Sequence, residues 1–181
     1  MRRIGFAYLV VLVAVLTRFI PHLPNFSPVL ASLLFSGAYL KRRDAVWYPL
    51  VLLAASDFAL TTLVYRMNIG VNQCVIWLGF AVVAMIGYSL RTRQNVGAIT
   101  FAALVGPTAF FVISNFGVWL GGHGARMYPA TWDGLVACYM AALPFYRNSL
   151  LATAAYTAVL FGASEIYGRR HHGIIATAHA E

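Results

Sequence analysis

The chain is a succession of long apolar runs, each closed off by charge, proline or glycine. About 20 apolar residues at about 1.5 Å apiece cover the hydrocarbon core of a bilayer, so such runs predict membrane-crossing helices. Six are expected, over residues 4–20, 27–40, 46–65, 73–90, 96–120 and 149–168. The second is short for a bilayer, but its start is well signalled, with Ser27 as N-cap and Pro28 at the first helical position. Between the fifth and sixth runs lies Gly121 to Asn148, whose middle, Thr131 to Leu143, is apolar yet bracketed by Pro129 and Pro144. A helix of that length cannot span. It is expected to lie along the outer face or dip back in as a lid, with Thr131 as N-cap and Asp133 favourable in its first turn. The expected fold is an all-α membrane protein, one integral domain over residues 1–181. It has six transmembrane helices and a short outer-face or re-entrant helix between the fifth and sixth.

Composition agrees with this pattern. Of 181 residues, 61% are hydrophobic and 10% charged, with a mean hydropathy of +0.74; a soluble domain keeps about a quarter of its residues charged. The spans leave no room for a soluble catalytic domain, so any activity sits within the bundle or at its mouths. The formal charge of +8 comes from basic residues scattered between apolar runs rather than gathered in a patch, which argues for topology and against nucleic acid. With the N-terminus inside, the inner segments hold Arg2, Arg3, Lys41, Arg42, Arg43, Arg91, Arg93, Arg169 and Arg170, and the outer ends Arg18, Arg66, Arg126 and Arg147. Nine against four accounts for all 13 basic side chains, and predicts a multi-pass protein of the cell (inner) membrane with both termini cytoplasmic. The start resembles a signal peptide but lacks a small-x-small cleavage site, and is expected to be a retained first span. Cys74 and Cys138 show no CxxC or metal-ligand spacing, and are expected to be two unrelated buried thiols rather than a disulfide.

One ionisable group stands inside these runs. Asp57 lies in the third, eight residues before Tyr65 and so roughly 12 Å below the outer end of its helix. A carboxylate at that depth is costly unless it faces a bundle interior, a water-filled pocket or a partner, which makes it a default functional candidate. Other polar groups gather in the same outer half: Arg18 at the end of the first span, His22 and Asn25 after it, Asn68, Asn72 and Gln73 around the third and fourth spans, and Asn115 near the end of the fifth. The inner halves are nearly featureless. The asymmetry predicts an outward-opening pocket capped by the Gly121 to Asn148 segment, with Asp57, Asn115, Arg18, His22 and Asn25 as ligand-binding candidates. Trp119, Trp132 and Tyr128 are candidates to cover the ligand, although aromatics at these levels also serve as an interface belt. The contrasting expectation is a structural Asp57–Arg18 pair with the amides bonded to backbone.

Enzymatic chemistry finds no support, with no GxxxxGK[ST], HExxH or GxSxG. No cofactor or metal is expected. Gly121-Gly122-His123-Gly124 is expected to be a flexible turn, and His171, His172 and His179 to be solvated in the tail. Small residues recur at four-residue spacing, at Ala98, Ala102 and Gly106 in the fifth span and at Ala154, Ala158 and Gly162 in the sixth. Ser32 and Ser36 form a weaker stripe. Such faces pack helices inside a bundle or dock a partner.

Several motifs carry a resemblance: Arg18-Phe-Ile-Pro-His22, Pro24-Asn-Phe-Ser-Pro-Val29, Ser56-Asp57, Ser114-Asn-Phe-Gly-Val-Trp119, Tyr128-Pro129, and Gly134-Leu to Leu143-Pro-Phe145. Together they resemble an uncharacterised family of small bacterial membrane proteins labelled putative transport proteins. The architecture also resembles the substrate-binding S component of energy-coupling-factor (ECF) transporters, which has six spans, both termini inside and an outward-facing site. That resemblance implies uptake of a small nutrient together with a scaffold subunit and two ATPases, and fits the missing P-loop. S components often dock the scaffold through a small-xxx-small face on the first helix. Here Ala7 and Ala14 do not make one, so Ser32 with Ser36, or the Ala98 face, would have to substitute. The expected function is therefore a substrate-binding membrane subunit, whose partners are a small-molecule substrate, the lipid bilayer and the ECF module or another membrane complex. The rival expectation is a structural or accessory subunit of a larger membrane complex, with a filled interior.

Overall fold

Backbone groups in hydrocarbon have no water to bond, so a chain this apolar satisfies them within helices. The computed structural model describes residues 2–64, 66, 70–122 and 127–178, and among these there are six helices and no strand. Helix α1 (Arg2–Leu16) ends in a 3-10 turn, Thr17–Phe19, and α2 is Val29–Tyr39. Helix α3 (Asp44–Phe58) widens into a π-helical stretch, Ala59–Val64, and is followed by α4 (Val71–Ser89), α5 (Val96–Gly122) and α6 (Trp132–Ala178). Asn68, Arg126, His179 and the expected turn from His123 onward lie outside the described residues.

Four helical stretches are long and apolar enough to cross a membrane: Asp44–Val64, Asn72–Ser89, Val96–Gly121 and Trp132–Ile166. This corrects the expected six, because the apolar helices Ile4–Phe19 and Val29–Tyr39 are shorter. At about 1.5 Å per residue, α2 covers about 16 Å, half a hydrocarbon core. The separate lid helix is also corrected. Thr131 caps as expected, its Oγ1 accepting from the Gly134 N–H at 3.2 Å, and Asp133 lies in the first turn. The helix does not stop at Pro144, however, but runs through it as part of α6. A proline inside an apolar bundle loses one backbone bond, and neighbouring helices compensate. Here the Phe111 and Tyr146 rings stack at 4.5 Å and the Tyr146 hydroxyl meets Thr108 Oγ1 at 2.8 Å, which pins that part of α6 to α5.

The shortest helix is the centre. Every residue of α2 from Val29 to Ala38 is buried, and it packs against α1, α3, α4, α5 and α6. Leu33, Leu34 and Phe35 are the heart of the core, with Phe35 edge-on to Phe161 of α6 at 5.2 Å. The approach of α2 to α4 is closest where both lack side chains. A Cβ on Gly37 would strike the Ala84 and Gly87 backbone, and one on Gly87 would strike the Leu34 backbone. Two of the three small-residue stripes are used inside the bundle. Ser32 and Ser36 are buried and bond their own helix, to Val29 O and Leu33 O, while Ala102 is buried and Gly106 packs on Leu34 and Val83. Ser32 and Ser36 are therefore not free to dock a scaffold. Ala154 and Ala158 are exposed, and Gly162 has open space beside it.

Replacing Gly87 with Val is expected to destabilise the fold by about 2–3 kcal/mol, because rigid backbone faces the new atoms. Gly162→Ala meets nothing and should be neutral or stabilising by about 0.4–1 kcal/mol. Thermal unfolding in detergent checks both, and a Gly87→Val protein that melts at the wild-type temperature would show that α2 and α4 do not touch there.

Candidate functional site

The 3-10 turn that ends α1 aims Arg18 inward against α3. Its guanidinium donates to Ser56 Oγ and the Leu53 carbonyl, and forms an ion pair with Asp57 Oδ1. The other carboxylate oxygen, Oδ2, accepts from Gln73 Nε2 and Trp77 Nε1, both at 2.7 Å. Gln73 and Trp77 stand four residues apart on α4, so one helical face presents both donors. Asp57 is 5% exposed, and a carboxylate that dry is stable only when paired and hydrogen-bonded. It has three donors from two other elements, which satisfies it and ties α1, α3 and α4 together.

Beside this cluster lies a cavity of about 370 Å³, large enough for a small solute. Arg18, His22, Asn25 and Asp57 line it, and so do Ser27, Gln73, Ser149 and Thr153. Its apolar wall is Leu60, Ile76, Phe80 and Phe110. The π-helical stretch matters here, because a wider turn follows Asp57 where Leu60 and Thr61 meet the cavity; such bulges are frequent at functional sites. A second cavity of about 240 Å³ shares Asn25, Ile76, Phe110 and Ser149 with the first.

Four of the eight candidates, Asp57, Arg18, His22 and Asn25, thus meet at one cavity. Asn115 lines the second, where its Nδ2 donates to Phe111 O at 2.8 Å. Trp119, Trp132 and Tyr128 line neither cavity. The Trp119 indole donates to Pro129 O at 3.1 Å, which ties the end of α5 to the residues just before α6, and Trp132 is 76% exposed, as a belt residue is. The α1–α2 connection borders the first cavity, where Asn25 turns the chain at a φ of 57° and Asn148 Nδ2 holds Pro24 O at 3.0 Å, while Ala142, Phe145 and Tyr146 of the 121–148 segment line the second. Ser27 is not the N-cap. Pro28 is, with no side-chain bond, so the Ser27 side chain is left on the cavity wall. Cys74 and Cys138 are both free thiols, but only Cys138 is buried as expected; Cys74 is exposed. Sequence reasoning missed Trp77 altogether, although a donor pair at i and i+4 facing a lone acid is a legible signal.

A bundle of apolar helices around a buried acid cluster and a polar-walled cavity defines a helical protein of membrane character. The chain belongs to DUF6580, a family of unknown function whose match covers residues 1–176. No curated protein and no solved structure matches it.

Asp57→Ala leaves the partly buried Arg18 cation, 20% exposed, without its partner and is expected to cost about 3 kcal/mol, the low end for such a pair. Trp77→Phe removes one charge-assisted bond and should cost about 1.5–3 kcal/mol. In a double-mutant cycle, Arg18→Met with Asp57→Leu should cost less than the two single changes added, because apolar replacement of both partners removes the uncompensated charge. Strict additivity would mean that the two groups do not interact.

Proposed function

We propose that this chain is the substrate-binding membrane subunit of an uptake system, with its solute held in the cavity beside Asp57. The observation that carries this reading is the cavity itself, about 370 Å³ of polar-walled space inside a chain that is otherwise tightly apolar. A solute-sized pocket with an apolar wall and a few fixed polar groups suits ligand capture. Because Asp57 is filled by three protein donors, its part is to hold the cavity walls, while His22, Asn25 and the α6 hydroxyls reach the solute.

The basic residues orient the subunit with Lys41 to Arg43 inside and the Arg18 end outside, in the cell (inner) membrane with both termini cytoplasmic. Helix α1 then runs outward, the α1–α2 connection dips back, and α2 returns to the inner face, so α1 and α2 act as one hairpin within a six-helix topology. Energy comes from partner subunits of the ECF type, since no nucleotide motif is present. The Ala154, Ala158 and Gly162 face of α6 is the small-residue surface left open for such a partner. That same face, with the closed Asp57–Arg18 pair, favours a second reading as an accessory subunit of a larger complex.

Purification in mild detergent followed by native mass spectrometry separates the two. Uptake predicts a retained small molecule at one per chain. A protein partner in fixed ratio with no small molecule would replace that reading with the second.

A further inference from the structure

The two ends of α2 are treated differently. Its C-terminal carbonyls are covered by α4, where Arg91 Nε donates to Gly37 O at 2.8 Å and the same guanidinium reaches Leu40 O. Its N-terminus is bare. The N-cap Pro28 offers no side-chain bond, and the first intrahelical bond runs from Ser32 N–H to Pro28 O at 2.8 Å. The N–H groups of Val29, Leu30 and Ala31 therefore have no acceptor within the helix. Val29 and Leu30 form part of the larger cavity's wall, so the positive end of the α2 dipole faces that space. A helix half a membrane long brings this end near the membrane midplane, where a helix N-terminus attracts anionic groups strongly.

The hydroxyls opposite make an independent case. Ser149 and Thr153 stand one turn apart on α6, are 7% and 1% exposed, and both line the same cavity. Thr153 Oγ1 has no hydrogen-bond partner, and Ser149 has none either among the described residues. Hydroxyls in apolar helices ordinarily bond the carbonyl one turn back, and one buried without a partner destabilises the protein. These two stand ready to donate to something that is not protein.

Charge narrows the class. The one acid on the wall is Asp57, and its two oxygens are occupied by Arg18, Gln73 and Trp77. The backbone N–H groups at the start of α2 can only donate, and the Ser149 and Thr153 hydroxyls can donate beside them, facing an apolar wall that includes the stacked rings of Phe80 and Phe110, 4.8 Å apart. At about 30 Å³ per water-sized group, a cavity of about 370 Å³ takes roughly a dozen heavy atoms.

We infer that the solute is a small organic carboxylate. Its oxygens sit on the bare N-terminus of α2 against the Ser149 and Thr153 hydroxyls, and its apolar or aromatic body lies along Ile76, Phe80 and Phe110. This inference rests on the uptake reading above and names the chemistry of its substrate. An anionic lipid headgroup offers similar oxygens, and the test separates the two sources.

The probes are benzoate and its uncharged counterpart benzamide, added to the full chain in phosphatidylcholine nanodiscs, with thermal unfolding and titration calorimetry as readouts. Benzoate should stabilise and bind, and benzamide should bind at least about ten-fold more weakly, as loss of charge-assisted bonds requires. Ser149→Ala and Thr153→Val should each weaken benzoate about ten-fold or more. Without ligand, Thr153→Val should melt no lower than the wild type, because it removes an unbonded hydroxyl at equal volume. Equal binding of benzoate and benzamide would overturn the carboxylate inference and leave the uptake reading standing. Stabilisation by phosphatidylglycerol nanodiscs with no response to benzoate would overturn it in favour of a lipid headgroup. No response to any of the three would overturn the inference, and the native mass spectrometry above then decides the uptake reading by itself.

Discussion

A charged carboxylate excluded from water must be fully bonded or not be there at all, and the position of Asp57 imposes that condition on everything around it. Its two oxygens take the Arg18 guanidinium from the end of α1 and the Gln73 and Trp77 donors from α4. No one of these is local in sequence. The carboxylate can be satisfied only when three separate elements have converged, so the acid acts as a check on assembly at that end of the bundle. The cost of getting the register wrong is an orphaned charge, which selects one arrangement of α1, α3 and α4 over neighbouring ones.

That convergence leaves space rather than filling it. Helix α2 is too short to reach the level of Asp57, so the room above its N-terminus is bounded by the acid cluster on one side, α5 and α6 on the other, and the α1–α2 connection as a cap. The inner end of α2 is held differently. There the Gly37–Gly87 contact lets α2 and α4 touch, and Arg91, stacked 4.6 Å over Tyr88, closes off the last carbonyls of α2. The cavity beside the acid cluster opens where the central helix, shorter than those around it, stops. The proposed solute occupies the position that a longer α2 would have filled with its own first turn.

Several of these features are legible in the sequence. Asp57 announces itself as an acid inside a run of apolar residues, and the three runs after residue 45 match α3, α4 and α5 to within a few residues, because their ends are marked by charge or glycine. Thr131 and Asp133 mark the start of α6 correctly, since capping is a local interaction. The misreadings are non-local. Pro144 looks like a helix end on local grounds, while α6 runs through it beside α5, held by Tyr146 against Phe111 and Thr108, which no local pattern reveals. The short second run was read as a span because its composition is apolar, but it is apolar because it is the buried core helix. Trp119 and Trp132 look like ligand covers by type and level, yet one bonds the Pro129 carbonyl and the other is exposed. The unfilled donors of α2 and of Ser149 and Thr153 leave no sequence signal, since a missing partner is visible only in three dimensions.

The most direct measurement is an experimentally determined structure of the full chain in a lipid nanodisc, prepared without added ligand and resolved well enough to place side chains around the first turn of α2. The account predicts non-protein density of solute size between that turn and the Ser149 and Thr153 hydroxyls, with Asp57 still bonded to Arg18, Gln73 and Trp77. A space closed by repacked side chains, or an Asp57 carboxylate turned away from those three donors, would contradict it.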